Sequence, residues 1–209
     1  MTVLVIDDHP IVQQGLARTL TDEFPGSEIG LASSANEALA LFAEKPWTLV
    51  ILDLSLPDRS GLELIREMKQ VNSKVLIVVL TLHAEDRFAV RAFRAGADGY
   101  LTKQCSPQNL GEAIRKVLGG GKYVTASLGE KLASYLARGE SDESHELLSD
   151  REYQVLGLLA NGKSIGSIAS ELHLSPNTIS TYRSRILEKL HLESTAELIA
   201  YAIRHHIAE

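Results

Sequence analysis

Five strand-like runs separated by amphipathic stretches fill residues 1–121, and few folds accommodate them. The runs are VLVI (3–6), EIGLA (28–32), LVILD (49–53), VLIVVLT (75–81) and GYLTK (99–103), and the first, third and fourth are almost wholly apolar. A strand with one face in water alternates apolar with polar residues, whereas a parallel strand covered by helices on both faces does not. Between the runs lie helical patterns such as SGLELIREMKQV (60–71), where Leu62, Ile65, Met68 and Lys69 recur at helical spacing with charges opposite. The pattern predicts a doubly wound α/β domain on a five-stranded parallel sheet. After a helix at about 107–118, Gly119–Gly121 breaks the rhythm and sets the expected end of a first domain, 1–121.

At 209 residues the chain has room for a second, smaller domain. Residues 125–138 read as a linker helix and GESDESHE (139–146), with no apolar anchor, as a flexible linker, so 122–146 separates the domains. From Leu147 to the C-terminus every pattern is helical: Asp150–Ala160, Ser164–Leu172, Pro176–Leu190 and Thr195–His205. An all-α domain over 147–209 is expected.

No apolar run approaches the roughly 20 residues that span a bilayer, so no membrane association is expected. The start, MTVLVIDDHP, has no basic lead and no cleavage site and reads as a strand rather than a signal peptide, which implies a cytoplasmic protein. A single cysteine, Cys105, excludes an internal disulfide and a multi-cysteine zinc site and suits a reducing compartment. The net charge of −6 divides as −3, −2 and −1 over residues 1–121, 122–146 and 147–209. Any affinity for nucleic acid must therefore come from one concentrated patch.

Open α/β sheets place their ligand site at the carboxyl ends of the strands. Asp7 and Asp8 follow the first strand, Asp53 ends the third, Thr81 the fourth and Lys103 the fifth, so all five converge on one edge. Three crowded carboxylates repel unless a cation neutralises them, and an oxygen-only donor set suits Mg²⁺. A carboxylate can accept a phosphoryl group as an acyl phosphate. Magnesium would bridge the phosphoryl oxygens, Lys103 would add a point charge, and Thr81 could donate a hydrogen bond to the new group. His9 and His83 lie nearby and are read as packing or capping residues, since neither has a second ligand at metal-like spacing.

The segments VLVIDDHP, LVILDLSLPDRSG, VVLT and GADGYLTK, in this order over roughly residues 1–120, resemble the receiver domain of bacterial two-component response regulators, a flavodoxin-like fold. The resemblance implies that a sensor histidine kinase phosphorylates Asp53. It also implies that Asp7, Asp8, Asp53 and the Ser55 backbone carbonyl hold Mg²⁺, that Lys103 is the essential lysine, and that Thr81 and Tyr100 form a switch pair. One departure is Leu82, where the family usually carries a small residue; its bulk is expected to hinder attacking water and prolong the phosphoryl group.

Over 164–190, two helical patterns meet at a short turn, and Ser175 followed by Pro176 is an N-cap followed by a first-turn proline. Ile179, Ile186 and Leu190 line one face, while Asn177, Ser180, Thr181, Ser184 and Arg185 make the other polar. Arg183, Arg185 and Lys189 outnumber Glu188, giving +2 over 176–190. The stretch over about 147–205 resembles the four-helix, helix-turn-helix DNA-binding domain of LuxR-type regulators, the effector class of NarL and FixJ. That implies a recognition helix at Pro176–Leu190 in the major groove of double-stranded promoter DNA, with Ser180, Thr181 and Ser184 facing base edges. Asn177, Thr178, Tyr182, Arg183, Arg185 and Lys189 are then phosphate-side or groove-edge candidates. Ile165 and Gly166 stand where the family commonly has Asn and Lys, so one backbone-phosphate contact is expected to be missing. The last helix carries Leu198, Ile199, Ala202 and Ile203 as an apolar stripe, and the resemblance implies homodimerisation through it when the protein is active; RNA polymerase is a further expected partner.

Two other classes fit less well. A metal-dependent phosphatase with an aspartyl intermediate predicts a D-x-D nucleophile at the first strand, whereas Asp7 and Asp8 are adjacent. A constitutive DNA-binding protein would not need the full set of carboxylates, threonine and lysine. No Gly-rich phosphate loop suggests ATP use. The chain is expected to be no enzyme beyond catalysing its own aspartyl phosphorylation and dephosphorylation.

Overall fold

The computed structural model describes residues 1–82, 85–130, 148–205 and 207, with backbone alone for 85–87 and 150. His83 and the expected flexible linker at 139–146 lie outside the described residues. The chain falls into two compact units, Met1–Arg138 and Gly139–Glu209.

In the first unit, β1 (Thr2–Ile6), β2 (Glu28–Ala32), β3 (Leu49–Leu52), β4 (Leu76–Thr81) and β5 (Gly99–Thr102) form one sheet in the order β2-β1-β3-β4-β5. Every pairing is parallel, with Ile6 beside Leu52, Leu52 beside Val79 and Thr81 beside Thr102. The helices are α1 (Pro10–Glu23), α2 (Ala35–Glu44), α3 (Gly61–Val71), α4 (Glu85–Ala95) and α5 (Pro107–Leu118). Val3, Val5, Leu49, Ile51, Val78 and Leu80 pack with Leu20 of α1 and Leu110, Ile114 and Val117 of α5. The alternate residues Leu4, Ile6, Val50, Leu52, Ile77 and Val79 are equally buried, on the face where α2 meets β1 and β2 and α4 meets β5. Both faces are dry, which is why the strands read as unbroken apolar runs.

The sheet does not release the chain at Gly121. Tyr123 forms a parallel bridge with Gly99, its amide donating to the Asp98 carbonyl at 2.9 Å and its carbonyl accepting from Tyr100 at 3.1 Å. Lys122 and Tyr123, at the head of the expected linker, thus belong by their hydrogen bonds to the β5 edge. Residues 126–130 are helical. At this end of the sheet the buried Asp98 carboxylate accepts from Lys69 Nζ (2.8 Å), Lys122 Nζ (2.7 Å) and the Ile77 amide (2.9 Å). Burial alone would raise its carboxyl, but the hydrogen bonds from Lys122, Lys69 and Ile77 outweigh this and hold it below its ordinary value.

The second unit contains α6 (Asp150–Ala160), α7 (Ile165–Glu171), α8 (Pro176–Leu190) and α9 (Thr195–Arg204). A full capping box starts α6, the Ser149 side chain accepting from the Glu152 amide and Glu152 from the Ser149 amide. Val155, Leu156, Ile168, Ile179, Ile186, Leu198 and Ala202 are all buried. Between α7 and α8 the chain turns at His173, a non-glycine residue with φ +52°, and Ser175 caps α8 by accepting from the Thr178 amide at 3.1 Å.

Because the Asp98 carboxyl is depressed in the folded state, its stabilising contribution is complete above the unfolded value of about 3.9 and drains away as pH falls through the lower folded value. Asp98→Ala, which leaves Lys69 facing an emptied buried position, should cost about 3 kcal/mol near neutral pH and much less near pH 2, as read by urea unfolding at both pH values.

Candidate functional site

Asp7, Asp53 and Lys103 are each the first residue past a strand and Thr81 the last within one, with Asp8 one residue further along, and the ladder continues through the backbone of Asp7, Asp53 and Lys103. The Asp7 amide donates to the Ala32 carbonyl (3.0 Å), Asp53 to Ile6 (2.9 Å) and Lys103 to Thr81 (2.8 Å). Register alone therefore sets Asp7 beside Asp53 and puts Lys103 one residue past Thr102, the partner of Thr81. Lys103 Nζ lies 2.6 Å from Asp7 Oδ2 and 2.7 Å from Asp53 Oδ2, with all three side chains at least nine-tenths buried. Burial by itself would lower the Lys103 ammonium, but the charge and hydrogen bonds of Asp53 and Asp7 win and raise it. Thr81 and Tyr100 are fully buried, while Leu82 is 69% exposed.

The loop after Asp53 is held at close quarters. The Ser55 amide donates to Asp53 Oδ1 at 3.1 Å, and Ser55 bridges Ser60. A Cβ on Gly61 would stand 2.6 Å from Leu54 Cα and 2.9 Å from the Asp53 carbonyl, so only glycine lets α3 start against this backbone. Asp58 accepts from the Ala35 (2.9 Å) and Asn36 (2.8 Å) amides, the first turn of α2. Burial would raise its carboxyl, but these backbone hydrogen bonds lower it. Arg59 adds a tie to Glu67 and Asn36.

Gln13 on α1 is a functional-site residue that the sequence reading missed. It is buried, and its Nε2 donates to the Asp7 carbonyl (2.7 Å) and the Ala32 carbonyl (2.8 Å), clamping the ends of β1 and β2. A glutamine within an amphipathic helix looks like a solvated residue; only its position on the sheet-facing side at the helix start hints otherwise. His9 is neither packed nor capping: its side chain is 59% exposed and makes no cap hydrogen bond to α1. Its Nδ1 instead approaches Asp8 Oδ1 at 2.6 Å and Asp7 Oδ1 at 3.2 Å. Asp7, Asp8, His9 and Asp53 each bring a ligand atom within 4.8 Å of the others. Three hard carboxylates at such spacing fit a divalent cation such as Mg²⁺.

In the second unit, Asn177, Thr181, Ser184, Arg185 and Glu188 form the exposed face of α8, with Thr178, Ser180, Tyr182 and Arg183 half-buried at its flanks. Asn177, Thr178, Thr181, Tyr182 and Arg185 line one open concavity. The hydroxyls of Ser180, Thr181 and Ser184 donate to the carbonyls of Pro176, Asn177 and Ser180. Lys189 is drawn away from the groove-edge set: its Nζ is 2.6 Å from Glu152 Oε2, whose carboxyl burial would raise but which Lys189 and Ser149 hold low. Among the described residues, the buried Arg183 Nε meets no hydrogen-bond partner. Of the expected dimerisation stripe, Leu198 and Ala202 are fully buried in the unit's own core, Ile199 is half-buried and Ile203 is 58% exposed. The reason is the 3.6-residue period, which turns positions 198 and 202 to one side and 203 to the other.

Residues 3–115 match the response regulator receiver domain, and residues 146–202 match the luxR family of bacterial regulatory proteins. The chain is a LuxR-type two-component response regulator. Along its whole length it is similar to the response regulator GacA of Pseudomonas aeruginosa, at 36% identity over 99% of this chain and 97% of the relative. It is 34% identical to the response regulator UvrY of Escherichia coli strain K12, over 98% and 94% of the two chains. Among solved structures it resembles RcsB from Salmonella enterica serovar Typhimurium bound to promoter rprA in the presence of the phosphomimetic BeF3−, at TM-score 0.63 and 28% identity, covering 96% of this chain and 97% of that one. In this regulator the acidic edge lies in the receiver domain and α8 in the LuxR-type domain.

Gln13→Met keeps the side chain's length and removes its donors, taking the Gln13 hydrogen bond from the buried Asp7 carbonyl and leaving the Ala32 carbonyl with the Asp7 amide alone. The expected loss is about 1–3 kcal/mol in urea unfolding of the receiver.

Proposed function

We propose that this regulator is a phosphorylation-switched transcription factor, with Asp53 accepting a phosphoryl group from a sensor histidine kinase and α8 reading promoter DNA in a homodimer. The observation that carries the reading is the buried Lys103 ammonium shared between Asp53 and Asp7. Such an arrangement has a use where negative charge arrives and leaves. A divalent cation held by Asp7, Asp8, Asp53 and the Ser55 carbonyl would neutralise the carboxylates and the incoming phosphoryl oxygens. The Asp53 carboxylate forms the new O–P bond as the N–P bond of the kinase phosphohistidine breaks. Lys103 then transfers its attraction to the phosphoryl group, and Thr81 donates its hydroxyl hydrogen to it. Movement of Thr81 and Tyr100 biases the receiver between two states, and a few kcal/mol of differential stability suffices to change the active fraction. The regulator catalyses only these steps on itself and works in the cytoplasm; among the described residues no helix is long and apolar enough to cross a membrane.

DNA binding draws on the exposed face of α8 and on the RcsB structures, in which that protein is bound to promoter DNA. Ile199 and Ile203 are what remains of the stripe for dimer contacts. RNA polymerase is the expected partner of the DNA-bound dimer.

With acetyl phosphate and Mg²⁺, intact mass should show one added phosphoryl group on the wild type and none on Asp53→Ala, with dimer formation in the same samples. Absence of the adduct from the wild type would leave a constitutive DNA-binder. At the DNA face, Arg185→Ala should weaken binding and reduce the slope of log K against log salt by about 1. Lys189→Met should leave that slope nearly unchanged and instead destabilise the second unit, since it leaves the buried Glu152 carboxylate with the Ser149 amide but without its cation.

A further inference from the structure

We infer that His9 is an additional ligand of the receiver's cation site and equips it to take a borderline divalent transition ion, of the Co²⁺, Ni²⁺ or Zn²⁺ kind, as well as Mg²⁺. The inference rests on the cation reading above and adds one residue to it. His9 occupies the N-cap position of α1 in an extended conformation (φ −100°, ψ 107°), yet its side chain makes no cap hydrogen bond. With the side chain 59% exposed, packing does not hold it either. What orients it is the cluster: its amide donates to Asp7 Oδ1 at 2.9 Å, and its Nδ1 sits 2.6 Å from Asp8 Oδ1 and 3.2 Å from Asp7 Oδ1.

Those separations suit coordination. Neighbouring donors around a small six-coordinate ion with bonds of about 2.1 Å stand about 3.0 Å apart, and the two distances bracket that value. The imidazole also avoids competing with the receiver's own cation. Lys103 engages Asp7 through Oδ2, whereas His9 faces Oδ1. Gln13, by fixing the Asp7 carbonyl, holds the backbone from which His9 departs. Carboxylates alone favour hard ions; adding imidazole nitrogen brings in the later first-row metals, whose affinity for mixed nitrogen and oxygen sites exceeds that of the earlier ones.

The test is a titration of the full-length regulator with Co²⁺ and, separately, Mg²⁺, by calorimetry, with Co²⁺ visible absorption recorded in parallel, on wild type, His9→Ala and His9→Gln. His9→Ala and His9→Gln should weaken Co²⁺ by about tenfold or more, the loss that removal of even an outer-shell partner causes, and shift the Co²⁺ bands, with Mg²⁺ affinity nearly unchanged. An equal change in both affinities, or none in either, would overturn the assignment and leave His9 as a charge partner of Asp8. If the wild type bound neither ion, the cation reading itself would fall, and the His9 assignment with it.

Discussion

One ammonium group between two buried carboxylates organises the receiver. Lys103 and the Asp7–Asp53 pair cannot be buried separately without a desolvation cost of several kcal/mol per ion, so the ends of β1, β3 and β5 must stay together. The sheet order β2-β1-β3-β4-β5 puts β1 and β3 side by side, and parallel register brings their C-terminal residues level. Apolar faces build the platform, and the platform forces charges together at its rim. The strain of like charges is thereby stored where a cation or a phosphoryl group would act.

Most of this was legible in the sequence because wholly apolar runs have sharp ends. Where LVIL stops, Asp53 begins, and the same reading located Asp7, Thr81 and Lys103. What could not be read was anything that depended on a contact across the chain. Lys189 meets Glu152 across 37 positions, and no local pattern distinguishes a lysine paired in this way from one awaiting a phosphate. Gln13 is polar on a helix and so looked solvated, though the carbonyls at the ends of two strands bury it. The stripe on α9 was visible, but periodicity alone does not say which of its members the domain itself consumes; Leu198 and Ala202 are consumed.

The two ends of the sheet divide their roles. At the rim of Asp7 and Asp53, charge is concentrated among carboxylates; at the opposite end Asp98 gathers Lys69 and Lys122. Lys122 and Tyr123 are thereby fastened to the β5 edge, and the Tyr123 carbonyl accepts the amide of Tyr100 itself. The segment leaving the receiver is thus bonded to the strand that carries Tyr100 and leads directly into Lys103 of the acidic rim.

The hydroxyls of α8 carry a last consequence. Ser180, Thr181 and Ser184 each spend their hydrogen on a carbonyl four residues back, so what they turn outward is lone pairs only. In a major groove every base pair offers one amino donor, from adenine in one kind of pair and from cytosine in the other. Were these three hydroxyls set against base edges, as proposed, they would register on which strand that amino group lies and not which base bears it, and discrimination between bases would fall to the donors Asn177 and Arg185 on the same exposed face.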